Sequence, residues 1–263
     1  MNSSIPDSAR PRSLPTRVSV VVPLFNEAES IQPLYRRLID LRQDSAESYG
    51  FEFILVDDGS TDETWDGLEE VFSDVSECQL IRLQENRGVA GAILAGIRAA
   101  PCEIVCSFDA DLTYDPGILV DMIPLIEEAD LVTASPYHPR GTVVNVPRWR
   151  LFLSRNLSRI YNYRQPQSLF TYTSCCRVYR KSVVEKIELS RTGFIGVAEL
   201  VLRLQRQGCR IVEFPATLGT RALGVSKMNT MKTILGHVRL FYDLGLNRGR
   251  PVPDRPISRE QEN

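Results

Sequence analysis

The 263-residue chain predicts one α/β domain, a doubly wound and mostly parallel sheet with helices on both faces and an elaborated second half. Three observations carry that prediction. Strand-like and helix-like stretches alternate through the first half of the chain. The strand-like runs are short, apolar and rich in β-branched residues, as strands buried on both faces are. Three of the first four end in acidic residues, at the strand ends where doubly wound sheets bind ligands.

The elements follow in order. Residues 17–22 form a β-branched strand, closed by the loop Pro23-Leu-Phe-Asn-Glu27. Ile31, Leu34, Leu38 and Leu41 then recur at helical spacing, with Pro33 tolerated near the first turn. Phe51-Glu-Phe-Ile-Leu-Val56 is the second strand and runs into Asp57-Asp-Gly-Ser-Thr-Asp62. Trp65, Leu68 and Phe72 make the next buried stripe, and residues 79–83 the third strand. Asn86-Arg-Gly88 opens a helix of small residues, 89–100, able to lie close to the sheet or to a ligand. The fourth strand, 104–108, delivers Asp109.

Composition narrows the partners. Lys and Arg number 31 against 33 Asp and Glu, a net charge of -2, so no bulk attraction to nucleic acid is expected. The six cysteines (78, 102, 106, 175, 176 and 209) form no CxxC pair, and His138 and His237 are the only histidines, which argues against structural zinc. Cys102 and Cys106 read as core fillers, and the apolar setting of these thiols suits a reducing, cytoplasmic compartment. Residues 1–17 read as an unstructured lead-in without the apolar core of a signal peptide, 18–246 as the domain, and 247–263 as a polar, Pro-rich tail. No apolar run approaches the roughly 20 residues of a membrane-spanning helix.

The chemistry gathers at Asp109-Ala-Asp111. Two hard oxygen donors directly after a strand suit Mg²⁺ or Mn²⁺, which keep several waters and take their remaining ligands from substrate phosphates. A nucleoside diphosphate is the natural third party. The same triplet also serves as an ordinary loop opening. Asp109-x-Asp-x-Thr113 further matches the nucleophile loop of haloacid-dehalogenase-like phosphatases. That motif belongs on a first strand, however, and here three strand-and-helix units precede it, while Asp121, Asp130, Asp243 and Asp254 are too widely spaced to complete it. No Gly-rich dinucleotide turn follows the first strand and no Walker lysine occurs, so NAD and P-loop readings fall away.

Val21-Val-Pro-Leu-Phe-Asn-Glu27, Leu55-Val-Asp-Asp-Gly-Ser-Thr-Asp62, Asn86-Arg-Gly88 and Asp109-Ala-Asp111 together resemble, in order and spacing, the inverting family-two glycosyltransferases of the GT-A fold. Later blocks are similar to the dolichyl-phosphate (polyprenyl-phosphate) mannose synthases. They comprise Ser135-x-Tyr137, Asn145-x-Pro147, Arg150 and Ser154, then Thr173-Ser174 with Arg177, Gly193-Phe194, Glu199, and Arg221-x-x-Gly224-x-Ser226-Lys227.

The resemblance implies a nucleotide-sugar half, about 18–135, and an acceptor half, about 136–246. It implies that Pro23, Phe25, Glu27, Val56, Asp57 and Asp58, with Asp109, Ala110 and Asp111, line the donor pocket. Asp109 and Asp111, with Thr113, would hold Mg²⁺ or Mn²⁺, and Arg150, Arg221 and Lys227 would meet donor or acceptor phosphates. The sequence departs from the family at Pro136, where arginine is usual, at Thr113, where glutamine is usual, and at Cys175-Cys176, where Gly-Phe is usual.

The implied reaction is transfer of a hexose, mannose or glucose, from a nucleoside diphosphate sugar to a polyprenyl or dolichyl phosphate, by a protein resting peripherally on the cytoplasmic membrane face. An ionised lipid phosphate attacks without a general base, and neither histidine sits near these motifs. Transfer to a saccharide hydroxyl would need a carboxylate base, for which Glu199 is the placed candidate, read as a helix-surface carboxylate or a sugar contact. A nucleotide-sugar-binding protein without turnover is the third possibility. Residues 148–164 interleave arginines with Trp149, Leu151, Phe152, Leu153, Ile160 and Tyr161. That pattern fits a helix lying on lipid and equally a core helix whose arginines reach water. Residues 228–246 make a second, weaker candidate for lying on lipid.

Overall fold

The computed structural model describes residues 14–146, 148–163, 165–219, 236, 237, 239, 240 and 243, with backbone alone at 148–150. A seven-stranded sheet runs in the order β3-β2-β1-β4-β7-β5-β8. Its first strands are β1 (Thr16–Leu24), β2 (Tyr49–Asp57), β3 (Cys78–Arg82) and β4 (Ile104–Ser107), all mutually parallel. β5 (Leu131–Ser135) and β8 (Ile211–Pro215) are parallel to each other, and β7 (Arg177–Arg180) lies antiparallel between β4 and β5. A second, two-stranded sheet pairs β6 (Thr142–Val143) with β9 (Thr217–Leu218). The fold is thus the mixed, mostly parallel α/β arrangement that the sequence predicts.

β1 is apolar without alternation because both of its faces are covered. Val18, Val20 and Val22 enter a core shared with α1 (Ile31–Asp44) and α2 (Thr64–Phe72). Val21 enters the opposite core, shared with α3 (Gly88–Ala99) and α7 (Gly193–Arg206). The small residues of α3 do what their size permits: a Cβ at Gly96 would lie 2.4 Å from Val21 Cγ1, so the helix can press this closely on the sheet only with glycine there. Cys102 and Cys106 are buried core fillers, as expected.

β1 starts one residue earlier than the strand read from the sequence, inside the segment read as lead-in. Thr16 N–H donates to Ser48 O at 3.0 Å and Arg17 pairs with Glu52, because β2 extends far enough to offer partners there. The second half adds α4 (Ile118–Met122), a 3₁₀ turn at Ile123–Glu127, α5 (Arg148–Asn162) and α6 (Lys181–Val184). No helix among the described residues is long and apolar enough to cross a membrane.

Candidate active site

β1, β2 and β4 end on one rim of the sheet, and the strand order reverses between β1 and β4, opening the crevice where doubly wound sheets take ligands. Pro23 suits this position. The β1–β4 ladder ends at the pair Val21↔Ser107, so the missing N–H of Pro23 removes no strand bond. The loops beyond are laced together. Asn26 turns the chain at φ 52°, a conformation asparagine tolerates better than most residues. Its N–H donates to Ser60 Oγ (2.9 Å) and its Oδ1 accepts from Thr61 N–H (2.8 Å). Glu27 N–H donates to Thr64 Oγ1 (2.8 Å), and its carboxylate accepts from Ser30 Oγ (2.9 Å). Phe25 sits half-buried in the same loop.

The two aspartates after β2 do different work. Asp57 is buried toward α2, where Oδ1 accepts from Ser60 N–H (3.0 Å) and Oδ2 lies 3.4 Å from Arg82 Nε. The Arg82 guanidinium in turn stands 5.3 Å from the Trp65 ring centroid. Asp58, 2% exposed, accepts the N–H of Arg87 at 2.7 Å, just before α3. Burial pushes its carboxyl up from 3.8 to about 6 despite that donor. An open cleft of about 520 Å³ lined by Gly59, Ser60, Thr61, Arg82, Leu83 and Gln84 adjoins these loops, within the roughly 300–1,000 Å³ of small-molecule sites. The side chains of Val56 and Ala110 are spent in the two cores, not in the crevice.

After β4 the chain turns tightly. Leu112 N–H donates to Asp109 O (3.2 Å), and Asp111 Oδ1 accepts from Thr113 N–H (3.0 Å). Leu112 stands at φ 55°, a left-handed conformation that costs a non-glycine residue about 1–2 kcal/mol and that clusters at functional sites. Thr113 O accepts from Gly219 N–H at 2.9 Å, tying this loop to the residue after β9. Two carboxylates one residue apart, a nearby hydroxyl and no imidazole make a donor set suited to a hard divalent cation. No group of three His, Cys, Asp or Glu forms here among the described residues; a Mg²⁺ or Mn²⁺ bound at these carboxylates would take its other ligands from phosphate oxygens and water, as those ions prefer.

Of the expected cations, Arg150 lies in the first turn of α5 with its side chain undescribed, and Arg221 and Lys227 lie outside the described residues. Glu199 corrects an expectation. It is fully buried, not a helix-surface carboxylate. It accepts from Ser190 N–H, Ser190 Oγ (2.8 Å) and Arg191 N–H (2.8 Å) and pairs with Arg203 Nη2 at 2.7 Å. A carboxylate so engaged braces the turn before α7, where the sequence pattern alone suggested exposure.

α5 combines the two readings open to it. It buries Ser158 and Tyr161, the latter hydrogen-bonded to His237 Nδ1 at 2.7 Å, and exposes Phe152 (67%), Ile160, Arg155 and Arg159, with Tyr163 (83%) just beyond its end. Phe170 extends this apolar patch, its carbonyl accepting from Ser158 Oγ at 2.8 Å, and Arg155 stands 5.8 Å from the Tyr137 ring. Of the weaker candidate 228–246, the described His237 and Leu240 are buried against the domain rather than presented outward.

Sequence reasoning left three contributors without a role. Arg87 serves Asp58 through its backbone N–H, a role that the Asn-x-Gly motif signals only as a helix start. Burial, and the negative charge of Asp109, push the Cys175 thiol up, with no signal in the local sequence. Arg177 is 0% exposed, its guanidinium donating to the carbonyls of Tyr172 and Val197.

The sequence pattern of "Glycosyl transferase family 2" matches residues 19–188. The chain is 30% identical over 237 residues to the dolichol-phosphate mannosyltransferase of Pyrococcus furiosus, covering 87% of this chain but 63% of that relative, so it spans less than two thirds of the relative's length. It is 30% identical over 232 residues to the polyprenol monophosphomannose synthase of Mycolicibacterium smegmatis, covering 85% and 84%. Among solved structures, glucosyl-3-phosphoglycerate synthase from Mycobacterium tuberculosis, determined with Mn²⁺, uridine diphosphate and glucosyl-3-phosphoglycerate, shares the fold. That match has a TM-score of 0.62 and 18% identity over 89% of this chain and 80% of the other.

Proposed function

From the premise that this chain belongs to glycosyl transferase family 2 and has its GT-A fold, we propose that it moves a hexose, mannose or glucose, from a nucleoside diphosphate sugar to a polyprenyl phosphate. The observation that carries the reading is the strained Asp109-Ala-Asp-Leu112 turn at the strand-order reversal, opposite the buried Asp58. The names of the relatives support a polyprenyl phosphate acceptor and a mannosyl donor.

In this reading Asp58 accepts from the donor base, and Pro23, Phe25 and Glu27 wall the nucleoside. When bound at Asp109 and Asp111, with Thr113 beside them, a divalent Mg²⁺ or Mn²⁺ supplies neutralisation of the charge that develops on the leaving diphosphate. Arg150, Arg221 and Lys227 hold the phosphate groups, the arginines by two-pronged contacts and the lysine as a point charge. The acceptor phosphate is already ionised, so no general base is required. The engagement of Glu199 by four donors argues against its serving as the base of a saccharide-directed reaction.

Exposed Phe152, Ile160, Tyr163 and Phe170 among Arg155 and Arg159 suit the headgroup plane of an anionic membrane, and the protein rests peripherally on the cytoplasmic face. The lipid tail stays in the bilayer while its phosphate reaches the crevice.

The test is incubation with labelled GDP-mannose, GDP-glucose, UDP-glucose and UDP-mannose in vesicles containing polyprenyl phosphate, followed by solvent extraction. Label in the lipid phase supports the reading. Label only on soluble saccharide, or none with any donor, sinks it.

A further inference from the structure

We infer that Gly219 is a positioning residue of the metal loop: its backbone N–H, by holding Thr113 O, keeps the strained turn in the form in which Asp111 presents its carboxylate to a divalent cation. The inference rests on the function proposed above and deepens it. Two hydrogen bonds run in series through Thr113. Gly219 N–H donates to Thr113 O at 2.9 Å, and Thr113 N–H donates to Asp111 Oδ1 at 3.0 Å. Leu112, between the two linked residues, stands at φ 55°, and a leucine stays left-handed only where its surroundings hold it there. Inside the turn the bond from Leu112 N–H to Asp109 O is the longer one, at 3.2 Å. Beyond the turn, Arg37 of α1 pairs with Asp115, whose Oδ1 accepts from Gly117 N–H at 2.9 Å. The far side of the loop is thus tied to α1, and the turn itself to Gly219.

Gly219 is itself fixed by the small sheet. Val144 N–H donates to Leu218 O (2.9 Å) and Thr142 N–H to Ala216 O (3.0 Å), while Ala216 N–H reaches Ser135 O at the end of β5 (3.2 Å). A Cβ at Gly141 would lie 2.6 Å from Ser135 O, so the turn into β6 closes on β5 with no room for a side chain. Two strands of two residues are marginal alone. Anchored at β5, they form a bracket whose last donor is the Gly219 N–H. Glycine is not needed for the bond, because a Cβ at 219 would stand 3.4 Å from Thr113 O, an ordinary contact. The bond from Thr113 N–H takes one of the roughly four lone-pair sites of the Asp111 carboxylate and leaves the others to a cation. Groups that orient a metal ligand from outside typically matter about 10- to 100-fold in metal affinity.

The experiment uses the full chain and measures Mn²⁺ binding by electron paramagnetic resonance in the presence of GDP and, in parallel, UDP. Gly219→Pro, which removes the N–H, should weaken Mn²⁺ binding about 10-fold or more, and Gly219→Ala, which keeps it, should bind as wild type does. Leu112→Gly removes the steric cost of the left-handed turn, so in that background Gly219→Pro should lose no more than about 3-fold. If Gly219→Pro does not melt cooperatively, an ester in place of the 218–219 peptide bond, made by translation with glycolic acid, removes the same hydrogen and takes its place. Wild-type Mn²⁺ affinity in the donor-less protein overturns the role of Gly219, as does an equal loss in Gly219→Ala. A loss as large in the Leu112→Gly background shows that the bond does not act by holding the turn and overturns it too. Absence of Mn²⁺ binding by the wild-type chain with either nucleotide overturns the metal reading itself, a result distinct from the others.

Discussion

Asp58 shows what a single buried carboxylate trades between stability and binding. Its ordinary value of 3.8 rises to about 6, so the folded protein holds the proton more tightly than the unfolded chain does. The sign follows: the stability contributed by Asp58 is greatest below pH 3.8 and is lost as pH rises through 6, by up to about 3 kcal/mol for a shift of this size. Asp58→Asn should therefore melt higher than wild type at pH 7.5 and close to it at pH 4, while losing nucleotide affinity. Wild-type nucleotide binding, followed by calorimetry, should weaken as pH falls below about 6; a melting difference independent of pH would remove burial as the cause. At the other carboxylates the expectation is simpler. Asp109→Asn and Asp111→Asn should each abolish turnover and Mn²⁺ binding with the far-ultraviolet circular dichroism intact, and activity of both variants in excess EDTA would end the metal role. The Asp-Asp doublet was legible as a site from its strand-end position. Where each side chain goes was not, because strand alternation sends Asp57 to Arg82 and Asp58 to α3, and only the partners reveal the direction.

At the scale of elements, α3 and α5 were both legible as helices, and their surroundings were not. α3 begins at Gly88, φ 70°, where a Cβ would stand 2.4 Å from the backbone nitrogen of Gly193 at the start of α7. Gly88→Ala should thus cost about 1–3 kcal/mol in denaturant melts from left-handed strain and overpacking, and should weaken nucleotide binding by moving the Arg87 N–H off Asp58. Unchanged affinity in a destabilised variant would separate α3 from the donor site. The amphipathic pattern of α5 left lipid and core equally open; the fold buries Ser158 and Tyr161 and exposes Phe152, Ile160, Arg155 and Arg159. Charge reversal at Arg155 and Arg159 should lower binding to anionic vesicles and activity on a long-chain polyprenyl phosphate while sparing a short, soluble analogue. Equal loss on both acceptors would sever α5 from the membrane.

For the molecule as a whole, the parallel pairing of the first strands and the shared rim of acidic loops follow from strand-helix alternation and were readable in advance, whereas their order β3-β2-β1-β4 comes from the structure. The position of β7 was not. Nothing in Cys-Arg-Val-Tyr-Arg sets its direction, which depends on how the long excursion through α5 returns the chain to the sheet. That late, reversed strand has a consequence for how the protein comes into being on the ribosome. β4 and β5 emerge first, yet they do not touch in the finished sheet; the space between them, about 10 Å at the usual spacing of strands, waits for residues 177–180. Until those residues leave the exit tunnel, the nascent chain carries two apolar strands with unpaired edges, the arrangement that recruits other chains. A chain halted at residue 146 should accordingly elute as aggregate in size-exclusion chromatography, whereas one released after β9 should not. Asp109, synthesised well before the midpoint of the chain, then acquires its final setting only when the closing strand arrives.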